Sequence, residues 1–371
     1  MTLQRNLGAV KRFGKLTRFA AWLQNIPNKV TPAPFRLMQI GSAFWQSRAL
    51  YVAARLNIAT MLADTKLSVE ELATHIHTQP DATYRLLRFL VAMGIFAEVS
   101  PRVFGNNKLS HYLRDDHPQN VRSMILMHNS PEMCRPWYEQ LERAVKEGGV
   151  PFGLTHGQEL FPYMDEHAEF DHLFSNAMDS VEALSGDSFA TDFDWTRFDR
   201  IIDIGGSKGS KSIAILKRHK HLHSLVVDRA QIIQRAASYW EGREDPALLK
   251  RMSFQAGDVF KSIPSAKSNK DIYLLSAVLH GFDDDACILA LRNLARASAG
   301  TGATIALMEI IMPETGSDAA SASFDMQMFM GTKGRERTLI EWQRLFEKSD
   351  LMLQEVVGLQ SFGKMLIVQG V

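Results

Sequence analysis

Along the first third of the chain, apolar residues recur at helical spacing. Leu3, Leu7, Val10, Phe13, Leu16, Phe19 and Leu23 fall close to one helical face, which predicts an amphipathic helix. Ile26-Pro27 and Pro32-Ala33-Pro34 are expected to end it, because proline lacks the N–H a continuing helix needs. Phe35 to Leu62 is again helical in pattern and rich in alanine and leucine. Ser68-Val69-Glu70-Glu71-Leu72-Ala73 reads as a helix start, with Ser68 as N-cap and Glu71 closing a capping box. A second helix runs through Asp81-Ala82-Thr83-Tyr84-Arg85-Leu86-Leu87-Arg88-Phe89-Leu90 and stops near Gly94. Phe96 to Val99 and Arg102 to Phe104 then look like a small hairpin, so this region predicts a winged helix-turn-helix arrangement. Between Pro118 and Phe193 the pattern is helical, punctuated at Gly148-Gly149-Val150-Pro151 and Thr155-His156-Gly157.

Beyond residue 190 the period changes. Arg200-Ile201-Ile202-Asp203-Ile204 is a short apolar run that ends in Gly205-Gly206-Ser207-Lys208-Gly209, and a helical pattern follows. Strand, glycine turn and helix open a doubly wound nucleotide-binding sheet. Further strands are expected at Leu225-Val226-Val227, Met252 to Ala256, Asp271 to Leu275 and Ala303 to Met308. Helices are expected at Asp284–Ala297 and Leu339–Lys348, and a closing antiparallel hairpin at Met352–Leu359 and Lys364–Gln369. The fold class is therefore α/β: a Rossmann-like, mainly parallel sheet of seven strands with an antiparallel edge hairpin, behind a mostly helical, winged-helix-like domain. The division this suggests is an amphipathic extension over 1–34, a helical domain over 35–190 and a nucleotide-binding domain over 191–371.

Composition adds limits. At 371 residues with 46% hydrophobic and 22% charged content, the chain has material for two domains with full cores. A net charge of +1 gives no global attraction to nucleic acid or membranes, and no apolar run is long enough for stable membrane insertion. Only two cysteines, Cys134 and Cys287, are present, which suits a reducing cytoplasm and offers no cysteine metal framework. Locally the balance differs: from Met1 to Ala63 there is no acidic residue, while Arg5, Lys11, Arg12, Lys15, Arg18, Lys29, Arg36, Arg48 and Arg55 are spread through it. Such a basic helix could rest on a membrane surface or serve as a transit segment; packing on a partner subunit is the favoured reading.

The candidate chemistry gathers where the strands end. The order D-x-G-G-S-x-G differs from the dinucleotide fingerprint G-x-G-x-x-G, and Asp228, about twenty residues on, is placed to take ribose hydroxyls. Gly257-Asp258-Val259-Phe260 puts a carboxylate at the third strand's end, where it can accept from an adenine amino group. His280 lies just past a central strand, where ligands bind in such sheets. Met124, Met127, Met133, Met164 and Met178, with Trp137, Tyr138, Phe161, Phe170 and Phe174, are core formers that could also roof a pocket for a flat apolar ligand. Arg85 and Arg88 share a helix with Leu86, Leu87, Phe89 and Leu90, too thin a basic face for DNA, so the winged-helix region is read as a dimer interface.

Taken in order, these motifs resemble the class I S-adenosylmethionine-dependent O-methyltransferases of small molecules, the plant caffeate, bacterial polyketide and acetylserotonin type. The resemblance runs from about residue 40 to the end. It rests on the Tyr84-to-Gly94 helix, Phe174-Ser175-Asn176-Ala177-Met178, Asp203 to Gly209, Gly257 to Phe260, Val278-Leu279-His280, Glu309-Ile310-Ile311-Met312-Pro313 and Gly334-Arg335-Glu336-Arg337-Thr338. It implies a homodimer with no nucleic-acid role and no metal, acting on an apolar small molecule of secondary metabolism. Asp203, Gly205, Gly206, Asp228, Asp258, Val259 and Ser276 would hold S-adenosylmethionine. His280 would be the general base, flanked and oriented by Glu309 and Glu336. Met127, Trp137, Phe174, Asn176, Met178 and Met326 would line the substrate pocket. Three positions depart from the family pattern: Ser207 for a glycine, Ser276 for the lysine of the plant enzymes, and Gly281 for an aspartate after the base. The altered neighbour of His280 leaves open a repurposed enzyme that keeps the cofactor and catalyses a rearrangement or decarboxylation. A non-catalytic ligand- or DNA-binding protein is the remaining alternative.

Overall fold

The computed structural model describes residues 2–361 and 363–371. The chain forms two compact units: residues 20–185, and residues 1–19 together with 186–371. The first residues thus belong to the carboxy-terminal unit. Leu3 is buried in its core, Gln4 makes a β-bridge with Phe193, and the Arg5 guanidinium pairs with Asp194 at 2.7 Å. The first helix, Leu7–Val30, runs through Pro27, so the expected stop there does not occur. One absent N–H is tolerated in the final turn, and the helix ends instead before Pro32.

In the amino-terminal unit the stretch of helical pattern from Phe35 to Leu62 is helical as expected, divided into Ala33–Gly41, Ala43–Arg55 and Ile58–Leu62. The last break falls at Asn57, whose φ of 54° is left-handed. The capping box forms as expected: Ser68 Oγ accepts from the Glu71 N–H, and Glu71 accepts from the Ser68 N–H at 2.8 Å. Strands β1 (Lys66–Ser68), β2 (Phe96–Ser100) and β3 (Val103–Asn106) form an antiparallel sheet in the order β1-β3-β2. It packs with Val69–His75 and Pro80–Ala92 around Leu62, Leu72, Leu87, Leu90 and Phe104. That is the expected winged-helix arrangement.

The carboxy-terminal unit is a twisted sheet built from β4 (Arg200–Ile204), β5 (His223–Asp228), β6 (Met252–Ala256), β7 (Asp271–Ser276), β8 (Thr304–Met312), β9 (Arg337–Thr338), β10 (Leu351–Gly358) and β11 (Gly363–Gly370). The main order is β10-β11-β8-β7-β4-β5-β6, and the two-residue β9 pairs with the end of β8. Strands β4 to β8 are mutually parallel, while β10 and β11 form the antiparallel edge hairpin. The central strands β4 and β7 are buried on both faces, so they read as near-continuous apolar runs rather than as an alternation, whereas the edge strand β6 is largely exposed. The chain leaves β4 toward β5 on one side and returns to β7 on the other, so the sheet has a switch point at the carboxyl ends of β4 and β7.

Candidate active site

The loop after β4 lies against that switch point. Gly205 has φ of 69°, and a Cβ on it would sit 2.8 Å from Val278 Cγ2. A Cβ on Gly206 would sit 2.6 Å from Asp203 Cγ. At both positions the protein's own atoms fill the space a Cβ would need, so only glycine lets this turn pack so closely against Asp203 and Val278. Ser207, in the place of a glycine, adopts φ of 52°. Its N–H donates to Asp228 Oδ2 at 2.8 Å, and the Arg229 N–H donates to Asp228 Oδ1 at 2.7 Å. Asp228 therefore ties the end of β5 to the glycine loop. Asp203 is buried within β4 and accepts from Ser212 Oγ at 2.6 Å. Asp258 caps its own turn by accepting from the Phe260 N–H at 3.0 Å, and the Val259 carbonyl accepts from Asn293 at 2.7 Å. Ser276 is the last residue of β7, and Ala277 after it is left-handed with φ of 51°. The structure places all seven expected cofactor residues at the carboxyl ends of adjacent strands or in the loops leaving them. Trp240, which the sequence did not single out, donates its indole N–H to the Lys208 carbonyl at 2.7 Å and pins the glycine loop.

His280 lies on a single turn of 3-10 helix, Leu279–Gly281, directly after this strained exit from β7. Its Nδ1 is 2.7 Å from Glu336 Oε1, and its side chain is 21% exposed while that of Glu336 is 1%. Glu309, inside β8 rather than just past its end, does not bond the imidazole. Its Oε1 accepts from the Val278 and Leu279 N–H groups at 3.3 and 3.1 Å. It thereby holds the backbone of the turn that carries His280. Donor atoms of His280, Glu309 and Glu336 lie within 4.8 Å of one another. Glu309 Oε2 and Glu336 Oε2 are buried without a hydrogen-bond partner among the described residues. Burial pushes the Glu309 carboxyl up to about 7, with the Glu336 charge adding and the imidazolium opposing. Burial by itself would lower His280. The hydrogen bond its Nδ1–H donates to Glu336 and the charges of Glu309 and Glu336 outweigh it, so the imidazole holds its proton above the ordinary histidine value.

The Gly334–Thr338 segment brings Glu336 to His280. A Cβ on Gly334 would lie 1.9 Å from the His280 carbonyl oxygen, so only glycine lets the two segments touch. The Glu336 N–H donates to Asp325 Oδ1 at 2.9 Å, a contact between a helix and a loop that no sequence signal marked. Met326 follows on the same helix, Ala319–Gly331, and is partly buried. The other expected pocket residues lie in the amino-terminal unit. Met127 is 2% exposed, inside a cluster with Phe152, Leu160, Met164, Phe170 and Ala177, and Phe174 packs against that cluster. Trp137 is partly buried, while Asn176 and Met178 are exposed.

Residues 138–350 match the model of the O-methyltransferase domain, and residues 38–116 that of the O-methyltransferase dimerisation domain. The chain belongs to the O-methyltransferase family. It is 30% identical to the phenazine O-methyltransferase of Lysobacter antibioticus, over 86% of this chain and 92% of that protein. It is 28% identical to the phenazine-1-carboxylate N-methyltransferase of Pseudomonas aeruginosa, over 92% of this chain and 98% of the relative. Among solved structures it is similar to an O-methyltransferase of neocarzinostatin biosynthesis in complex with S-adenosylmethionine and 2-hydroxy-5-methyl naphthoic acid, with a TM-score of 0.74, 25% identity, and coverage of 88% of this chain and 96% of that one. The family is enzymatic and its cofactor is S-adenosylmethionine, which the tight glycine turn after β4 and the carboxylates Asp228 and Asp258 at the ends of the neighbouring strands fit.

Proposed function

We propose that this protein methylates a hydroxyl, phenolic in character, on an apolar aromatic small molecule, with His280 as the general base. The observation that carries the reading is the 2.7 Å contact between His280 Nδ1 and Glu336 Oε1. A carboxylate acceptor there fixes the proton on Nδ1 and leaves the Nε2 lone pair to accept from a substrate hydroxyl. S-adenosylmethionine supplies an electrophilic methyl group on a sulfonium. A phenol with a pKa near about 10 is a weak nucleophile until its proton leaves, so a base within hydrogen-bond reach lowers the barrier. As His280 takes that proton, the Glu336 carboxylate stabilises the imidazolium, and Glu309 keeps the turn in place. The names of the relatives, which include phenazine and naphthoate methyltransferases, support a flat aromatic substrate. We further propose that two copies pair through the amino-terminal unit, where the exposed apolar residues Phe35, Leu37, Met38, Ile40, Phe44 and Trp45 adjoin or begin the matched dimerisation region.

The deciding experiment incubates the protein with methyl-labelled S-adenosylmethionine and a panel of hydroxylated naphthoates, phenazines and benzoates. Label is expected in an ether product with the wild type and at least about 100-fold less with His280→Ala, while S-adenosylhomocysteine binds both proteins alike. A His280→Ala enzyme that turns over at the native rate would remove the base assignment. Label found only on nitrogen would move the activity to N-methylation.

A further inference from the structure

Buried ionic groups of opposite sign hold the turn that carries His280. On its leading side, the Val278 and Leu279 N–H groups donate to Glu309. On its trailing side the carbonyls of Leu279 and Phe282 receive the guanidinium of Arg337, at 3.4 Å from Nη1 and 2.8 Å from Nη2. The same guanidinium donates from Nε and Nη2 to Asp284 Oδ1, at 3.0 and 2.8 Å. The Arg337 side chain is 0% exposed, whereas Asp284 is 46% exposed and also pairs with Arg335. A cation buried this completely is expensive unless its donors are used. Here they are used on the backbone of the base's own turn. Arg337, the first residue of β9, directly follows Glu336, so two consecutive residues hold the imidazole ring and the backbone beneath it.

We infer that Arg337 is a positioning residue for proton transfer: its guanidinium locks the Leu279–Phe282 turn so that the His280 imidazole stays in register with Glu336. The inference rests on His280 being the base. A planar fork is needed, because two carbonyls and a carboxylate lie in different directions from one side chain. A lysine ammonium keeps the charge and loses that geometry. Without the fork the turn keeps Glu309 and the weak Cys287 thiol donor, at 3.2 and 3.6 Å from the Leu279 and Phe282 carbonyls, and those carbonyls lose their cationic partner.

The test uses full-length Arg337→Lys and Asp284→Asn proteins. Three quantities are read: kcat and KM for the acceptor found in the labelling assay, the affinity for S-adenosylhomocysteine, and the downfield proton resonance of the His280 Nδ1–H bond, assigned by its loss in His280→Gln. Arg337→Lys is expected to lower kcat by about 10- to 100-fold, the scale on which small misplacements act, with KM and cofactor affinity within about threefold. Its downfield resonance is expected to broaden or vanish. Asp284→Asn, which loosens Arg337 from the exposed side, is expected to change the same quantities in the same direction and by less. Native kcat and an intact resonance in both variants would overturn the proposal. If Arg337→Lys fails to fold, Asp284→Asn decides on the same criteria. If the wild type transfers no methyl group, the base reading fails separately, and retention of the resonance in Arg337→Lys still counts against the positioning role.

Discussion

At the scale of the residue, function depends on where protons and Cβ atoms are allowed to be. The His280 imidazole binds its proton more tightly than a free histidine, and only the neutral ring can accept from a substrate. The neutral fraction grows as pH climbs through the raised value, so the ascending limb of the rate profile is expected above pH 6.5. Glu309→Gln keeps an oxygen for the Val278 and Leu279 N–H groups and removes an anion that favours the imidazolium. That limb should then move to lower pH; initial rates measured across pH for both proteins check the sign, and a shift upward contradicts it. In the cradle, a methyl group on Gly206 would meet the Asp203 carboxyl group at 2.6 Å, and Asp203 is 1% exposed with no room to retreat. Gly206→Ala should therefore weaken S-adenosylhomocysteine binding by about tenfold or more, a change of ~1.4 kcal/mol, measurable by calorimetry. His280, Asp203 and the glycines were legible in the chain because each sits at a recognisable place beside an apolar run. Asp325 was not, because a side chain that meets the Glu336 backbone across 11 positions leaves no periodic trace.

At the scale of the element, the sheet turns dispersed residues into one site by ending its parallel strands on one side. The glycine loop, Asp228, Asp258 and the Ser276-to-His280 segment are separated in sequence by helices or strands, yet they lie at or just past the carboxyl ends of β4, β5, β6 and β7 respectively. Strand β8 departs from expectation in length. It runs on through Glu309 to Met312 because β9 and β11 pair with it there, and this buries Glu309 instead of leaving it at a strand end. The helix Leu339–Glu347 is started by Thr338, whose hydroxyl accepts from the Glu341 N–H while Glu341 accepts from the Thr338 N–H. This capping box immediately follows Glu336 and Arg337. Thr338→Ala is expected to cost about 1 kcal/mol, lowering the melting temperature by about 2–4 °C for a domain of this size. A calorimetric scan showing no change would mean the cap is not holding that helix start.

At the scale of the whole molecule, the amino terminus is fastened to the carboxy-terminal unit. Leu3 enters the core, its N–H donates to Glu355 at 2.8 Å, and the Gln4 side chain exchanges hydrogen bonds with Gly358 on β10. Deleting residues 1–6 should remove a buried leucine and these edge contacts, lowering stability by about 2–4 kcal/mol in denaturant unfolding. Unchanged unfolding would show that the segment only rests there. No helix among the described residues is long and apolar enough to cross a membrane. The sequence by itself determined most element types, the winged-helix-like and α/β classes and the glycine turn, because short-range periodicity and turn chemistry are written locally; His280, Glu309 and Glu336 came to notice through the order of the family motifs. It did not determine that Glu309 grips the backbone rather than the ring, that Arg337 is buried beneath the His280 turn, or that residues 2–6 belong to the distant end of the chain. Those outcomes depend on which groups face one another after burial, where an unpaired charge or N–H is costly, and only the folded sheet makes that choice.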